Sequence, residues 1–221
     1  MPNQLFQTAD GSHSIISEQF GVSYHSKHGA IQETQHVFIN AALRFKALLQ
    51  QEISILDIGF GTGLNAYMTL IEATHRNLSV NYTGYEAFPI SIAQAKDLNY
   101  PALLKISDTI YPFQILHECD WEQRISINSH FSFLKCLQTF DQIVYQNKFD
   151  IVYFDAFAPN AQPDLWKQPL LEKMYQALKP DGVFVTYCAK GEVKRTLKAV
   201  GFQVERLKGP PGKREMTRAI K

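Results

Sequence analysis

A turn with three glycines, GFGTG at residues 59–63, follows an apolar run and is preceded by Asp57. Glycine permits positive φ angles and lets a ligand approach the backbone closely. In an open α/β sheet such a turn lies beyond the carboxyl ends of the strands, where ligands bind. An acid at the start of the turn would repel a pyrophosphate but suits the ammonium group of an amino acid. Asp57 with G-x-G-x-G therefore favours S-adenosylmethionine over a dinucleotide, whose fingerprint is G-x-G-x-x-G.

A second acid, Glu86, ends the strand-like stretch 80–86 and stands 23 residues after Gly63, room for one helix and one strand. A carboxylate at the end of the second strand can accept hydrogen bonds from both hydroxyls of a ribose. We therefore expect Glu86 and Ala87 to contact the donor's ribose. The other candidate donor contacts in and beside the turn are Asp57, Gly59, Phe60, Gly61, Thr62, Gly63 and Asn65.

A third acid, Asp155, follows the near-continuous apolar run 149–154 and opens the segment DAFAPNAQPDLW. There it could accept a hydrogen bond from a substrate amine and take its proton, directly or through water. Methyl transfer to an amine would then depend mostly on placement of the reactants. Around Asp155 we expect donor contacts from Ala156 and Phe157, and substrate contacts from Phe157, Pro159 and Trp166.

Alternating strand and helix patterns must position these acids. Apolar periodicity predicts strands at 53–58, 80–86, 124–130, 149–154, 182–188, 202–207 and 215–220, and helices at 34–50, 64–75, 89–98, 131–146, 166–178 and 191–200. This order predicts a Rossmann-like α/β fold with a mostly parallel seven-stranded sheet. The short proline-containing connection KGPPGKR makes the last two strands an antiparallel hairpin. Such an ending is typical of class I S-adenosylmethionine-dependent methyltransferases.

One domain, residues 1–221, accounts for the chain, with an N-terminal segment, 1–50, over the donor site and an insertion at about 99–123. In the N-terminal segment, Tyr24 and Asn40 are candidate donor contacts and Glu33 is a candidate substrate contact. The adenine contact should follow the third strand, which makes Ser132, with Phe133 beside it, the candidate. If the stretch PFQILHE is the third strand instead, Asp120 and Trp121 take that place.

The composition limits the class of protein to which this chain can belong. Its 221 residues, 45% of them hydrophobic, can form a sizeable core. No apolar run is long enough to cross a membrane, and the first residues do not resemble a secretion signal. Three widely spaced cysteines fit a reduced cytoplasmic protein. The seven histidines show no metal-ligand spacing, so we expect no metal.

Charge is unevenly distributed, although the net charge is only +1. Residues 190–221 hold ten basic and three acidic side chains. A basic region on a mildly acidic body indicates a surface that meets an anion, or else a solvated basic helix.

Several of these stretches together resemble one family. DIGFGTGLN, FDAFAP followed by P-x-x-W, the terminal KREM at 213–216 and YHSKHGAIQETQHVFIN at 24–40 are similar to the MnmC-type methyltransferase domain. The resemblance implies S-adenosylmethionine as donor and aminomethyl(2-thio)uridine at the wobble position of the tRNA anticodon loop as acceptor. It also implies a stand-alone methyltransferase, because the chain is too short for the FAD-dependent oxidase domain that some members carry. A separate oxidase or an earlier modifying enzyme would then supply its substrate. One departure concerns the Gly-Asp that members often have after the third strand, where Phe131 and Ser132 stand here.

If the acceptor is tRNA, basic residues should line one rim of the site and contact phosphates. Candidates are Lys190, Lys194, Arg195, Lys198, Lys213 and Arg214. Two other functions fit the same residues: an N-methyltransferase or aminopropyl-type transferase for a small amine, and a non-catalytic domain that binds RNA or protein. The first would not need the basic region, and the second would not need all three acids.

Overall fold

The strands of the computed structural model, which describes residues 3–106 and 112–221, are β1 (Gln4–Gln7), β2 (His13–Ile16), β3 (Glu52–Ile58), β4 (Ser79–Glu86), β5 (Ile125–Asn128), β6 (Phe131–Leu137), β7 (Phe149–Phe154), β8 (Leu178–Thr186), β9 (Gln203–Lys208) and β10 (Glu215–Ile220). The helices are α1 (Ala30–Thr34), α2 (Phe45–Ala47), α3 (Leu64–His75), α4 (Ile92–Lys96), α5 (Tyr100–Leu104), α6 (Ile115–Glu118), α7 (Gln168–Ala177) and α8 (Gly191–Val200). A π-helix, Gln35–Arg44, joins α1 to α2, and short 3-10 helices cover Phe140–Gln142 and Pro163–Trp166.

Eight of these strands form one sheet in the order β5-β6-β4-β3-β7-β8-β10-β9. From β6 to β8 the neighbouring strands are parallel, whereas β10 runs antiparallel to both β8 and β9. The strand order reverses at β3, so the turn after β3 lies where such sheets bind ligands. The predicted class I fold with its antiparallel C-terminal hairpin is confirmed; the sheet has eight strands rather than seven.

Two apolar layers cover the faces of the sheet. The π-helix and α3 pack on one face, and α7 and α8 pack on the other. All six residues of β7 are buried, because a central parallel strand is covered on both sides. Rigid burial of this kind fixes the carboxyl end of β7, and with it Asp155.

The third core strand is not where the sequence pattern indicated. Residues 124–130 were expected to form it, but β5 is an edge strand that pairs antiparallel with β6. Residues 131–146, expected to be helical, contain β6, which pairs in parallel with β4. The alternation of apolar and polar residues in β5 is typical of an edge strand that is buried on one face only. The pattern of β6 is obscured by Lys135, a buried lysine whose ammonium group contacts the His117 carbonyl and the Trp121 ring.

Other helices and strands begin or end at residues different from those that the sequence pattern predicts. The helix expected at 34–50 begins at Ala30, and the one expected at 89–98 begins at Ile92, where Ser91 forms a capping box. The stretch PFQILHE holds the helix α6 instead of a strand, and LKPDG belongs to β8 rather than to a helix end. Part of the expected insertion at about 99–123, residues 107–111, lies outside the described residues.

The N-terminal segment begins with the β1–β2 ribbon, whose His13 is hydrogen-bonded to the Asn99 side chain. The chain then passes along residues 17–29 to α1 and brings Phe20 and Tyr24 to the end of the sheet where β3, β4 and β7 finish. Within the described residues, no helix has the length and apolar character that crossing a membrane would require.

Candidate active site

The glycine turn between β3 and α3 is shaped by close contacts. Gly59 has φ 95°, and a Cβ there would lie 2.9 Å from the carbonyl oxygen of Asp155. Gly61 has φ 53°, and its Cβ would lie 2.9 Å from the ring of Tyr24. Both positions therefore require glycine, because an L side chain would be strained and would collide with the wall of the site.

A cavity of about 440 Å³ opens beside this turn, a size usual for small-molecule sites. It is bounded by the ends of β3, β4 and β7, by the segment after β6, and by the start of α7. Its walls are Phe20, Tyr24, Gly59, Gly61, Glu86, Ala87, Phe88, Thr139, Phe140, Asp141, Asp155, Ala156, Phe157, Gln162, Asp164, Leu165, Lys167, Pro169, Leu170 and Lys173. Of the predicted donor contacts, this cavity brings together Tyr24, Gly59, Gly61, Glu86, Ala87, Asp155, Ala156 and Phe157.

Glu86 closes one side of the cavity at the end of β4. Its Oε2 accepts a hydrogen bond from the Gly61 N–H at 2.8 Å, and its Oε1 accepts one from the Phe88 N–H at 2.9 Å. Burial raises the pKa of Glu86, while these two N–H groups lower it. Each carboxylate oxygen keeps a second lone pair, so the side chain can still accept from two hydroxyls.

Asp155 lies across the cavity at the end of β7 and is partly buried. Its Oδ2 accepts a hydrogen bond from Asn65 Nδ2 at 2.8 Å, and Asn65 Oδ1 accepts one from Thr34 Oγ1 at 3.0 Å. This chain of hydrogen bonds from α1 through α3 fixes the carboxylate of Asp155 on one side. The remaining lone pairs are available to a group in the cavity.

The surroundings of Asp155 disfavour its charged form. Burial raises the pKa of Asp155 well above its usual range, and the negative charges of Glu33 and Asp57 raise it further. The hydrogen bond from Asn65 and the positive charge of Lys213 lower this pKa. A cation bound beside Asp155 would lower it as well, since a nearby opposite charge favours the charged form. Such a carboxyl group can change protonation as its site fills.

Asp57, predicted to contact an ammonium group, does not line the cavity. Its side chain is fully buried under the turn, where Oδ2 accepts a hydrogen bond from the Tyr82 hydroxyl at 2.7 Å. Burial raises the pKa of Asp57 to about 8, against the lowering effect of that hydrogen bond. Its Oδ1 is a buried atom without a hydrogen-bond partner among the described residues.

Other predicted residues in or beside the turn lie on its core side, away from the cavity. Asn65 holds Asp155, and Phe60 packs in the core against His117 and Phe133. The Thr62 carbonyl hydrogen-bonds His117 Nε2 at 3.2 Å, and its hydroxyl accepts from Tyr100 at 3.1 Å. None of these three residues lines the cavity, and Gly63 does not line it either.

Three further candidates, Asn40, Ser132 and Trp166, do not line the cavity. Asn40 lies on the exposed side of the π-helix, where it pairs with Gln35 and Arg44. Ser132 is opposite Asn81, five residues before Glu86 in β4, so it lies far from the carboxyl end of its strand. Trp166 is buried against Phe154 and donates a hydrogen bond to the Phe157 carbonyl, so its ring supports the segment after β7 from the core side.

The basic candidates separate into paired and exposed groups. Lys213 forms an ion pair with buried Glu33, and Lys194 forms one with Glu215. Arg195, Lys198 and Arg214 are exposed. The exposed Lys190 contacts Asn160 and Glu192. Pro159 is buried beside the second surface depression, whose walls include Lys167 and Arg195.

Sequence reasoning missed the residues that follow β6, namely Thr139, Phe140 and Asp141, together with Phe20 and Phe88. Asp120 and Trp121, the alternative, do not line the cavity; Trp121 covers Lys135. An acid after the third strand was a family feature that seemed absent. Asp141, in the segment after β6, lines the cavity, and recognition of β6 as a strand would have made it a candidate.

The residues present fit S-adenosylmethionine. The cavity walls carry the carboxylates of Glu86, Asp141, Asp155 and Asp164 but only two lysines, and they include five aromatic rings. Carboxylates and ring faces both attract cations, and this donor carries a sulfonium and an ammonium group. The glycine cradle, which a Cβ would fill, admits a ligand to the backbone. In the described part of the chain, no group of three or more His, Cys, Asp or Glu side chains could hold a metal ion.

Comparison with known proteins gives three findings. The family described as S-adenosyl-L-methionine-dependent methyltransferase matches residues 110–221, half of the chain. The tRNA 5-methylaminomethyl-2-thiouridine biosynthesis bifunctional protein MnmC of Acinetobacter baylyi is 30% identical over 97% of this chain and 37% of its own length. The protein of the same description from Marinomonas sp. is 31% identical over 91% of this chain and 31% of its own length. The chain thus spans about a third of the length of these curated relatives.

Solved structures agree in fold. The crystal structure of MNMC2 from Aquifex aeolicus has a TM-score of 0.81 and 26% identity, and the match covers 98% of this chain and 69% of that one. Spermidine synthase from Thermotoga maritima has a TM-score of 0.57 at 14% identity, over 98% of this chain and 71% of that one, and is similar in fold alone.

Proposed function

The chain belongs to the family of S-adenosyl-L-methionine-dependent methyltransferases, and from this we propose that it methylates the amine of 5-aminomethyl-(2-thio)uridine at the wobble position of tRNA. The observation that supports this most is the Asp155 carboxylate on the cavity wall, next to Gly59 and across from Glu86. The relatives described as MnmC, named for the biosynthesis of the methylated nucleoside, supply the substrate class.

The methyl donor is S-adenosylmethionine, which when bound supplies an electrophilic methyl group on a positively charged sulfur. Toward it we propose three contacts. Glu86 accepts hydrogen bonds from the ribose hydroxyls, because its carboxylate is fixed by the Gly61 and Phe88 N–H groups. Asp141 accepts one from the adenine amino group. Gly59 and Gly61 leave room for the amino-acid end beside Asp155.

Asp155 acts on the acceptor amine in this proposal. It accepts a hydrogen bond from the amine N–H and so directs the nitrogen lone pair toward the methyl group. The amine must be uncharged to attack, and Asp155 takes its proton directly or through one water. Asn65 and Thr34 hold the carboxylate still, which matters because most of the acceleration of a displacement comes from placement.

Aromatic side chains around the mouth suit a base turned out of an RNA loop. Phe157 contacts Phe20 and Tyr24, with ring centroids 5.1 Å and 5.0 Å apart, and Phe20 also contacts Phe88. Unstacked bases in RNA loops are usually bound on such rings. We propose that Phe157 and its neighbours hold the uracil ring.

Contacts to the rest of the tRNA would come from exposed basic residues. Arg195 and Lys198 lie one turn apart on the outer side of α8, and Arg214 is exposed on the β9–β10 connection. We propose that these residues contact phosphates of the anticodon arm in the cytoplasm. A separate oxidase or an earlier modifying enzyme would supply the aminomethyl group.

The test is mass spectrometry of tRNA nucleosides after incubation with isotope-labelled donor. Hypomodified tRNA should gain one methyl group on the aminomethyl nitrogen. Asp155→Asn should lower that rate by about 10² to 10⁴, the usual contribution of a positioned acid or base, and still bind S-adenosylhomocysteine.

Three results would contradict the proposal or a part of it. Methylation of free polyamines but not of tRNA would indicate a small-amine transferase. Donor binding without transfer to either acceptor would indicate a non-catalytic domain. An unchanged rate for Asp155→Asn would reject the role of that residue.

A further inference from the structure

His25 is a buried histidine that the proposed reaction does not use. It directly follows Tyr24 in the N-terminal segment, and its ring nitrogens face two hydroxyl groups. Its Nδ1 lies 3.1 Å from Oγ of Ser14, which belongs to β2. Its Nε2 lies 3.5 Å from Oγ1 of Thr62, which belongs to the glycine turn. The imidazole ring therefore connects the β1–β2 ribbon with the turn between β3 and α3.

An uncharged imidazole suits these two partners. Burial lowers the pKa of His25 to about 4, against the opposite effect of the acids Glu33 and Asp10. At neutral pH the ring therefore has one N–H group and one bare nitrogen, and a hydroxyl group can pair with either. The Thr62 hydroxyl already accepts a hydrogen bond from Tyr100 of α5 at 3.1 Å, so its own proton can be donated to a ring nitrogen of His25.

The residue before His25 forms part of the cavity wall. The ring of Tyr24 packs on Gly61, where an added Cβ would lie 2.9 Å from Cδ1 of that ring. The Tyr24 ring is also 5.0 Å from the ring of Phe157, measured between centroids. Two adjacent residues of the N-terminal segment thus contact two adjacent residues of the glycine turn, His25 at Thr62 and Tyr24 at Gly61. Because Tyr24 and His25 are neighbours, a shift of the His25 ring away from Thr62 would also move the Tyr24 ring.

We propose that His25 is a positioning residue, which fixes the segment 17–29 to the glycine turn and so keeps Tyr24 in the wall of the methyl-donor site. The proposal rests on the part of the proposed function that places the donor in this cavity. It does not depend on which acceptor is methylated. It gives the histidine of the Tyr-His pair at residues 24–25 a role in donor binding without direct contact with the donor.

The position of Tyr24 can be followed by ¹⁹F NMR of the free protein labelled with 3-fluorotyrosine. Tyr24→Phe identifies the resonance among those of the ten tyrosines. In His25→Leu this resonance should become more sensitive to solvent, with a larger shift difference between H₂O and D₂O. His25→Gln, whose amide can reach the Thr62 hydroxyl, should restore the wild-type difference. Tyr100→Phe is the matched control, since it removes another hydrogen bond of Thr62 and keeps His25, and it should change nothing.

Donor binding is measured in the same variants by calorimetry with S-adenosylhomocysteine. His25→Leu should weaken binding by about threefold to tenfold, the value of one hydrogen bond. His25→Gln should recover most of the affinity, a rescue that a role in core packing alone would not give. If His25→Leu does not fold, Thr62→Val is compared with Thr62→Ser, which keeps the hydroxyl group. The valine variant should then show both changes and the serine variant neither.

Wild-type solvent sensitivity of the Tyr24 resonance in His25→Leu would overturn the proposal, as would failure of His25→Gln to recover affinity. A wild-type protein that binds no S-adenosylhomocysteine would reject the cavity as the donor site, and this role with it. Because neither measurement needs an acceptor, absence of tRNA methylation would count against the proposed acceptor and not against this inference.

Discussion

Individual carboxylates in the site have different tasks because their surroundings differ. Glu86 accepts two backbone N–H groups and stays fixed at the end of β4. Asp155 has one amide donor and an opposed set of charges, so its protonation can change. Asp57, with a pKa raised by burial to about 8, is a structural support under the turn. Carboxyl groups thus have three different environments in one cleft, and for two of them, Glu86 and Asp155, we propose donor binding and proton transfer.

Asp141→Ala should weaken binding of S-adenosylmethionine by about threefold to tenfold, the value of one hydrogen bond. An analogue of the donor without the adenine amino group should bind the variant and the wild type equally. Isothermal titration calorimetry measures both. Ser132→Ala, the control, should bind the donor as the wild type does, since Ser132 accepts a hydrogen bond from Arg124 at the other end of β6. Loss of binding in the serine variant would contradict the corrected position of the third strand.

The position of a single cavity residue was predictable where one local sequence pattern determines it. Asp155 and Glu86 each end an apolar run, and the topology of parallel sheets brings such ends together. Asp141 was missed because it depends on β6, and β6 contains a buried lysine that no periodicity accounts for. Asn40 lies away from the cavity because the π-helix, with its wider turn, sets which of its residues face the core.

Among the elements, the glycine turn depends on packing from both sides. Tyr24 from the N-terminal segment closes on it from the cavity, while His117 and Tyr100 hydrogen-bond Thr62 behind it. Burial lowers the pKa of His117 to about 4, so at neutral pH its ring is uncharged and adds no positive charge behind the turn. The turn can therefore keep its conformation without a ligand.

Gly61→Ala should destabilise the protein by about 1–2 kcal/mol, the cost of a left-handed conformation in a residue with a Cβ. It should also lower donor affinity by about tenfold or more, because the new methyl group would displace Tyr24 from the cavity wall. Thermal unfolding and calorimetry check the two effects. Gly191→Ala, at the start of α8, is the matched control, since its Cβ would meet only the mobile end of Arg195. Equal donor affinity in the two variants would exclude this role for the turn.

At the level of the whole molecule, the basic residues among the last 32 positions include two groups. Some form ion pairs with acids, and others are exposed to solvent. Lys194, Lys213 and Arg218 have acidic partners and join elements of the fold. Arg195 and Lys198 remain exposed on α8. Charge counts along a sequence cannot separate these groups, because the fold decides which basic residue meets an acid. Glu205 and Glu215 lie within the same stretch, whereas Glu33 is 180 positions from Lys213.

The double variant Arg195→Ala/Lys198→Ala should reduce the slope of log affinity for tRNA against log salt by about 1.5, as two lost phosphate contacts predict. Donor affinity should stay the same. Filter binding over a range of salt concentrations measures the slope. Lys96→Ala/Lys105→Ala, which removes two exposed lysines near α4 and α5, is the control and should not change it. The same slope for both double variants would show that α8 is not the RNA surface.

The fold was largely predictable because its strongest signals are local. The buried runs at β3 and β7, the helix after the glycines and α8 appear in the sequence as they do in the structure. The third core strand and the conformation of the N-terminal segment were not predictable, because both depend on contacts with distant elements. The antiparallel hairpin was found because a short connection allows no other arrangement.

The contact between Glu33 and Lys213 joins residues 180 positions apart. Contacts of such long sequence separation close large loops and form slowly, because their entropic cost precedes their gain. Strands β3 and β4, which are close in sequence, can pair well before this contact exists. We therefore expect the Glu33–Lys213 contact to form after the pairing of β3 with β4 when the protein refolds from denaturant.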